Sequence, residues 1–269
     1  KLHEGNVMEA VALNINKKEH IPGILRAAEN SILVGKVKRL ELFNYSINIL
    51  PKLKLHGGNV MEKFHLSAYE KKYLSEIDCV ADNSIWLGKT KRLELFNYAI
   101  IILPKMKLHE GNVMEAVALN INKKEHIPRI LAVADNSIRL VKAKRLELLN
   151  YSINILPKLT LHEEGDVEVL YLSADETEYL SGILRAADNS IRFVKAKRLE
   201  LWNYSINILP KLTLREGNVM EKFHLSAYKT EHISEILCAA DNSILVGKVK
   251  RLELFNYAIN ILPKLKLHE

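Results

Sequence analysis

The sequence is poor in the features that usually disclose a protein's chemistry. Its two cysteines cannot build a disulfide framework. No apolar run approaches the ~20 residues of a membrane span, so no membrane partner is expected. The first residues, Lys1-Leu2-His3-Glu4, carry neither an initiating Met nor the apolar stretch of a signal peptide. Aromatic residues are sparse at 7%, with two Trp. Neither sign of charge dominates: Lys plus Arg is 39 against 32 for Asp plus Glu, and the net +7 permits anionic partners without naming one. No nucleophile–base pair, glycine-rich phosphate loop or metal-ligand cluster stands out, so no enzyme activity, metal or cofactor is expected. What remains, 48% hydrophobic and 26% charged residues, is the balance of a soluble folded chain rather than a disordered one.

The sequence is instead dominated by repetition. Arg-Leu-Glu-Leu begins at Arg39, Arg92, Arg145, Arg198 and Arg251, a constant step of 53 residues. Five such steps cover residues 1–265, and Lys1-Leu2-His3-Glu4 returns as Lys266-Leu267-His268-Glu269. Between Arg39–Gly57 and Arg251–Glu269, 17 of 19 positions are identical. The chain therefore reads as one repeat domain over residues 1–269, made of five modules without a separate linker. A single module cannot bury both of its faces, but stacked copies share a continuous core.

Within a module, Leu40 and Leu42 alternate with other residues at the period of a short strand buried on one face. Ile47, Leu50 and Leu53 then shift to a spacing near three, which suits a turn or short 3₁₀ segment. Phe64 and Leu66 mark a second strand. The segment from Ser75 to Ala81 reads as a helix, because position 75 is matched by Pro22, Pro128, Ser181 and Ser234. Ser caps helices and Pro is tolerated in their first turn. Asp82-Asn83-Ser84 follows as a turn in which Asn can adopt the left-handed conformation.

Leu40-x-Leu42-x-x-Tyr45-x-Ile47 followed by Leu50-Pro51-x-Leu53 resembles the leucine-rich repeat pattern. Phe64-x-Leu66-x-x-Tyr69, Val117-x-Leu119-x-x-Asn122 and Leu170-x-Leu172-x-x-Asp175 resemble a second version of it. Each module then holds two repeats of about 26 residues, giving about ten leucine-rich-repeat-like units. The resemblance implies an α/β right-handed solenoid, with parallel strands on a concave face, short helices on the convex side, and protein binding on the strand face. One departure is plain: Tyr45, Tyr98, Tyr151, Tyr204 and Tyr257 stand where the family carries Asn, and tyrosine cannot supply a ladder of buried amides. A hairpin-containing β-solenoid is the rival architecture, because Leu53-Lys54-Leu55 also reads as a strand.

If the leucines point inward, the residues between them point outward. One series then presents Glu41, Glu94, Glu147, Glu200 and Glu253 beside Phe43, Phe96, Leu149, Trp202 and Phe255. The other presents His65, Tyr171 and His224, with Ala at positions 12 and 118. Aromatics bordered by acids suit a protein or peptide partner carrying basic and apolar side chains. The alternative is that the aromatics pack on one another and the glutamates are merely solvated. Met8–Pro22 recurs verbatim as Met114–Pro128, and Met61–Tyr69 as Met220–Tyr228. Such copying suits a modular recognition surface, and equally recent duplication or a designed library.

The remaining repeated residues point to ordinary structure. Lys36, Lys38 and Arg39 and their equivalents, among them Lys142, Lys144 and Lys195, form a basic rim. A solvated rim is expected there, rather than a nucleic-acid interface. His3, His56, His109, His162 and His268 occur once per module, with Arg215 completing the column, too far apart to share a metal. His20, His126 and His232 suit packing at the helix entry. Cys79 and Cys238 lie three modules apart, out of disulfide range, and free thiols suit a reducing, cytoplasmic setting. Asn44-Tyr45-Ser46, Asn150-Tyr151-Ser152 and Asn203-Tyr204-Ser205 match glycosylation sequons, with chance the expected origin. The chain begins and ends in the same phase of the repeat. It is a fragment, a synthetic array, or a chain that associates head to tail, with polar His3, Glu4, His268 and Glu269 near the cuts.

Overall fold

The computed structural model describes residues 7–139, 142–160, 167–193, 196–214, 217 and 219–267. The protein is α/β, with parallel strands and short helices, and its chain folds as two compact units, Lys1–Ile130 and Leu131–Glu269. In the first unit the strands Val7–Ile15, Ile32–Asn44, Val60–Ala68, Ile85–Asn97 and Met114–Ile121 lie side by side in sequence order, all parallel. In the second, Ala143–Asn150, Val169–Ala174, Arg198–Asn203, Lys222–Ala227 and Leu252–Asn256 do the same.

The register explains why the Leu-x-Leu pairs are there. In the first unit Leu40, Phe64, Leu93 and Val117 align across the strands, as do Leu42, Leu66, Leu95 and Leu119, and all eight are fully buried. The second unit stacks Leu146, Leu170, Leu199 and Phe223, and Leu148, Leu172, Leu201 and Leu225, again without exposure. Burying a side chain of this size contributes about 1.5–3 kcal/mol. A one-residue slip would turn each column to the opposite face, so the hydrophobic pattern specifies the register.

After each long strand the chain winds into a 3₁₀ helix, at Tyr45–Lys52 and Tyr98–Lys105 in the first unit and at Tyr151–Lys158, Tyr204–Lys211 and Tyr257–Lys264 in the second. Entry requires a positive φ, supplied by Asn44 at 58° and its equivalents. Asn tolerates this region better than most residues. Ser46 secures the bend: its hydroxyl accepts the Phe43 N–H at 2.8 Å and lies within reach of the Leu13 and Phe43 carbonyls. The spacing of Ile47 and Leu50 matches the helix, and both are buried. The Asp-Asn-Ser segments are turns as expected. Asn83 has φ 56° and its N–H donates to the Pro104 carbonyl at 3.0 Å.

Two expectations need correction. The segment read as a helix is only a single turn: α-helical at Pro22–Leu25, Pro128–Leu131 and Ser234–Leu237, and 3₁₀ at Ile77–Cys79 and Ile183–Arg185. Neither Ser75 nor Ser234 caps it. The Asn turn follows too soon for a second turn to form, and the orphan N–H groups are met from outside the segment. Asn48 Oδ1 accepts from Glu76 and Ile77 at 3.1 and 3.4 Å, while its Nδ2 donates to the Tyr73 carbonyl at 2.8 Å. Asn154 and Asn207 repeat the arrangement in the second unit. Buried amides thus serve neighbouring loops from three residues beyond the tyrosine positions. The second correction concerns Leu53–Leu55, which is a strand but forms no hairpin. It pairs in parallel with Ile32–Gly35, as Met106–Leu108 does with the start of Ile85–Asn97.

Candidate functional site

The alternation that buries the leucines places the intervening residues together on the other face of each sheet. In the first unit Glu41, His65 and Glu94 align across three strands, with Phe43, Ser67 and Phe96 beside them. In the second unit Glu147, Tyr171, Glu200, His224 and Glu253 form one column, and Leu149, Ser173, Trp202, Ser226 and Phe255 the next. Every residue proposed from sequence for the strand face lies in one of these columns.

The columns are not uniformly available. His65 and Glu94 are each 8% exposed, and they bind one another at 2.8 Å. Lys63 Nζ reaches the same carboxylate at 3.0 Å, and Arg92 Nε reaches it at 2.6 Å. These partners, the His65 contact first, hold the Glu94 carboxyl at about 2. Glu253 is tied in the same way by His224 at 2.9 Å, Lys222 at 2.9 Å and Arg251 at 2.7 Å, and is likewise held at about 2. Glu147 pairs with Arg145, while among the described residues Glu41 has only Lys63 at 3.9 Å. The sequence reading of solvated glutamates therefore fails for Glu94 and Glu253.

The cassettes explain the difference. Lys63 and His65, like Lys222 and His224, stand two residues apart on one face of a strand and reach forward to the glutamate of the next strand. The Val169–Ala174 strand offers Val169 and Tyr171 at those positions, so it brings no cation to Glu200. Among the described residues Glu200 makes no ion pair, and the Arg198 side chain, two residues back, is exposed. The saturating role of Lys63 and Lys222 was missed from sequence. Its signal was the Lys-x-His spacing in the copied Met61–Tyr69 and Met220–Tyr228 cassettes.

Aromatic rings follow the same columns. His65 lies between Phe43 and Phe96, with centroids 5.2 and 4.9 Å away. In the second unit Trp202 sits among Tyr171, His224 and Tyr228 at 6.3, 4.9 and 6.4 Å, and His224 continues to Phe255 at 5.1 Å. Arg145 lies over the Tyr171 ring at 5.4 Å. Burial raises the Tyr171 hydroxyl above the usual phenol range. The rings therefore do pack as ladders, and two buried ring nitrogens, Trp202 Nε1 and His224 Nε2, have no hydrogen-bond partner among the described residues.

The other repeated residues fall into structural roles. The rim lysines Lys89, Lys91, Lys142 and Lys144 are exposed, whereas Arg92, Arg145 and Arg251 are engaged by glutamates; Lys195 lies outside the described residues. His126 and His232 are buried against Tyr98 and Tyr204 at 4.1 and 4.7 Å, and burial pushes both imidazoles below their ordinary value. His56 Nδ1 accepts the Gly58 N–H at 3.1 Å. His3, His162, His268 and Arg215, and the polar groups of Glu4 and Glu269, lie outside the described residues. Asn44, at a sequon, is buried and bonded to Asn14 and Asn16, with Ser46 fully buried. Cys79 and Cys238 are free and exposed. No helix among the described residues is long and apolar enough to cross a membrane.

No protein-family model matches the chain, and neither the curated proteins nor the solved structures contain a significant match to it.

Proposed function

We propose that this protein is a non-enzymatic binding module of leucine-rich-repeat-like design, a right-handed solenoid that takes a protein or peptide on a concave strand face and turns its short helices to the convex side. The paired leucine columns and the 53-residue period support the architecture. The observation that carries the function is Glu200. Among the described residues it is a carboxylate without a cation, set between Tyr171 and His224 and next to Trp202, in a column where Glu253 is saturated. A lysine or arginine from an extended peptide supplies the missing charge, and flanking apolar side chains lie on Trp202 and Tyr171.

Panning a displayed random-peptide library on the protein tests this reading. Enriched peptides should carry a basic residue beside an aliphatic or aromatic one. Trp202→Ser should weaken them about tenfold or more, in keeping with an aromatic anchor. Glu200→Gln should remove the preference for the basic residue. Joint charge reversal at Lys142 and Lys144 should change little. Enrichment of acidic peptides that bind through Lys142 and Lys144, with Trp202→Ser silent, would refute the proposal.

A further inference from the structure

On the strand face of the second unit large and small side chains alternate from strand to strand. Leu149, Ser173, Trp202, Ser226 and Phe255 stand in register across five parallel strands. A bulky apolar group therefore recurs at every second strand, and by size alone it stands above the serines between. Strands lie ~4.8 Å apart, so successive bulky groups are separated by about 9.6 Å, and Leu149 to Phe255 spans about 19 Å.

That interval selects a backbone. A polyproline II helix has three residues per turn and a 3.1 Å rise, so it turns a side chain to one side about every 9.3 Å. Seven of its residues span about 19 Å. A β-strand laid across the column repeats about every 6.8 Å and misses the central position. An α-helix rises ~5.4 Å per turn, so two turns overshoot by about 1 Å and the error doubles at the next interval.

Charge fits the same frame. Glu147, Glu200 and Glu253 also recur at every second strand, one column over. Arg145 engages Glu147, and Lys222, His224 and Arg251 engage Glu253. Glu200, on the strand of Trp202, makes no ion pair among the described residues, so a single basic side chain has one place to go. In the first unit Phe43, Ser67 and Phe96 repeat the interval once, but Glu94 beside Phe96 is already held by Lys63, His65 and Arg92.

Resting on the binding role of Glu200 and Trp202, we propose that the ligand of the second unit is a proline-rich peptide in the polyproline II conformation. It lies across the strands and sets prolines three residues apart against Leu149, Trp202 and Phe255. An arginine or lysine next to the central proline projects sideways onto Glu200. Aromatic-lined surfaces take such segments well, because the preformed helix has little conformational entropy left to lose.

Calorimetric titration of three synthetic peptides into the full chain tests the proposal. Pro-Ala-Ala-Pro-Arg-Ala-Pro and Pro-Ala-Arg-Pro-Ala-Ala-Pro space the prolines by three and place the arginine on either side of the central one. Ala-Pro-Arg-Pro-Ala-Pro-Ala has the same composition with prolines two apart, so only its central proline meets a bulky group. The better of the first two should bind about tenfold or more tightly than the third. Glu200→Gln should weaken it about threefold or more, and Trp202→Ser about tenfold or more. Ser173→Tyr, at a half-buried serine, fills the step between Leu149 and Trp202 and should weaken it as much without shifting the thermal transition. Equal affinity for both spacings, with Trp202→Ser or Ser173→Tyr weakening both alike, would overturn the polyproline inference and leave the strand-face reading standing. Failure of the first two to bind at millimolar peptide would also overturn it, while library panning reports separately on peptides of other backbone. Binding that none of the three substitutions changes would sink both readings.

Discussion

Replacing Asn154 with Ala isolates what a buried amide contributes to the stack. The side chain is 5% exposed and joins two turns of the chain. Its Nδ2 donates to the Tyr151 and Tyr179 carbonyls at 3.0 and 2.6 Å, and its Oδ1 accepts from Gly182 and Ile183 at 3.0 and 2.8 Å. Ala leaves the Ile183 N–H and the Tyr179 carbonyl without a partner, and a buried polar group stranded in this way costs about 1–3 kcal/mol. Gly182 is exposed, so water replaces its bond and about 1 kcal/mol is lost there. The total is roughly 3–7 kcal/mol, a large part of the ~5–15 kcal/mol that stabilises an ordinary domain. Urea unfolding in a Trp86→Phe background reads the second unit through Trp202, the remaining tryptophan. Asn260→Ala, measured at dilution, is the internal control. Its amide has no partner among the described residues, and the expected change is about 0.5 kcal/mol or less. A loss below about 1 kcal/mol for Asn154→Ala, or equal losses at the two sites, would refute the claim that these amides hold the turns.

Acid should unfold the protein in two stages. Burial lowers the pKa of His126 and His232, so the unfolded chain binds more protons and stability falls as pH drops below their ordinary value of 6.5. Glu94 and Glu253, held at about 2 against an ordinary 4.5, contribute stability above 4.5 that is lost as pH falls toward 2. Glu94→Gln should flatten the lower part of that profile in thermal melts, and an unchanged profile would contradict the ion-pair account. Phe64→Ala should cost about 3–5 kcal/mol in denaturant titration, because the ring is fully buried. Phe255→Ala, at a residue 48% exposed, should cost about 1 kcal/mol or less. Cys79 and Cys238 should both react with a thiol reagent in the folded protein, and protection of either would contradict its exposure.

The period, the strands and their buried faces were legible in the sequence, because a leucine at every second position has one way to be dry in a stack of equal modules. The bend after each strand was legible too, from the change to a spacing near three, and the turn after the helix from Asp-Asn-Ser, whereas the positive φ of Asn44 that opens the bend was not read. Helix length was not. Ser75, Ser234 and Pro22 mark where a helix begins, but its extent depends on where the Asn turn closes and on an amide, Asn48, that arrives from the preceding 3₁₀ segment. The strand-face columns were likewise readable as a set, since alternation alone puts Glu200 and Trp202 on the same side. Which glutamate is free was decided only in three dimensions. Glu94, Glu200 and Glu253 occupy identical Arg-Leu-Glu-Leu contexts, but besides the arginine two residues back Glu94 and Glu253 take partners from the strand beside them. The neighbouring strand brings Lys63 and His65 to Glu94, and Val169 and Tyr171 to Glu200.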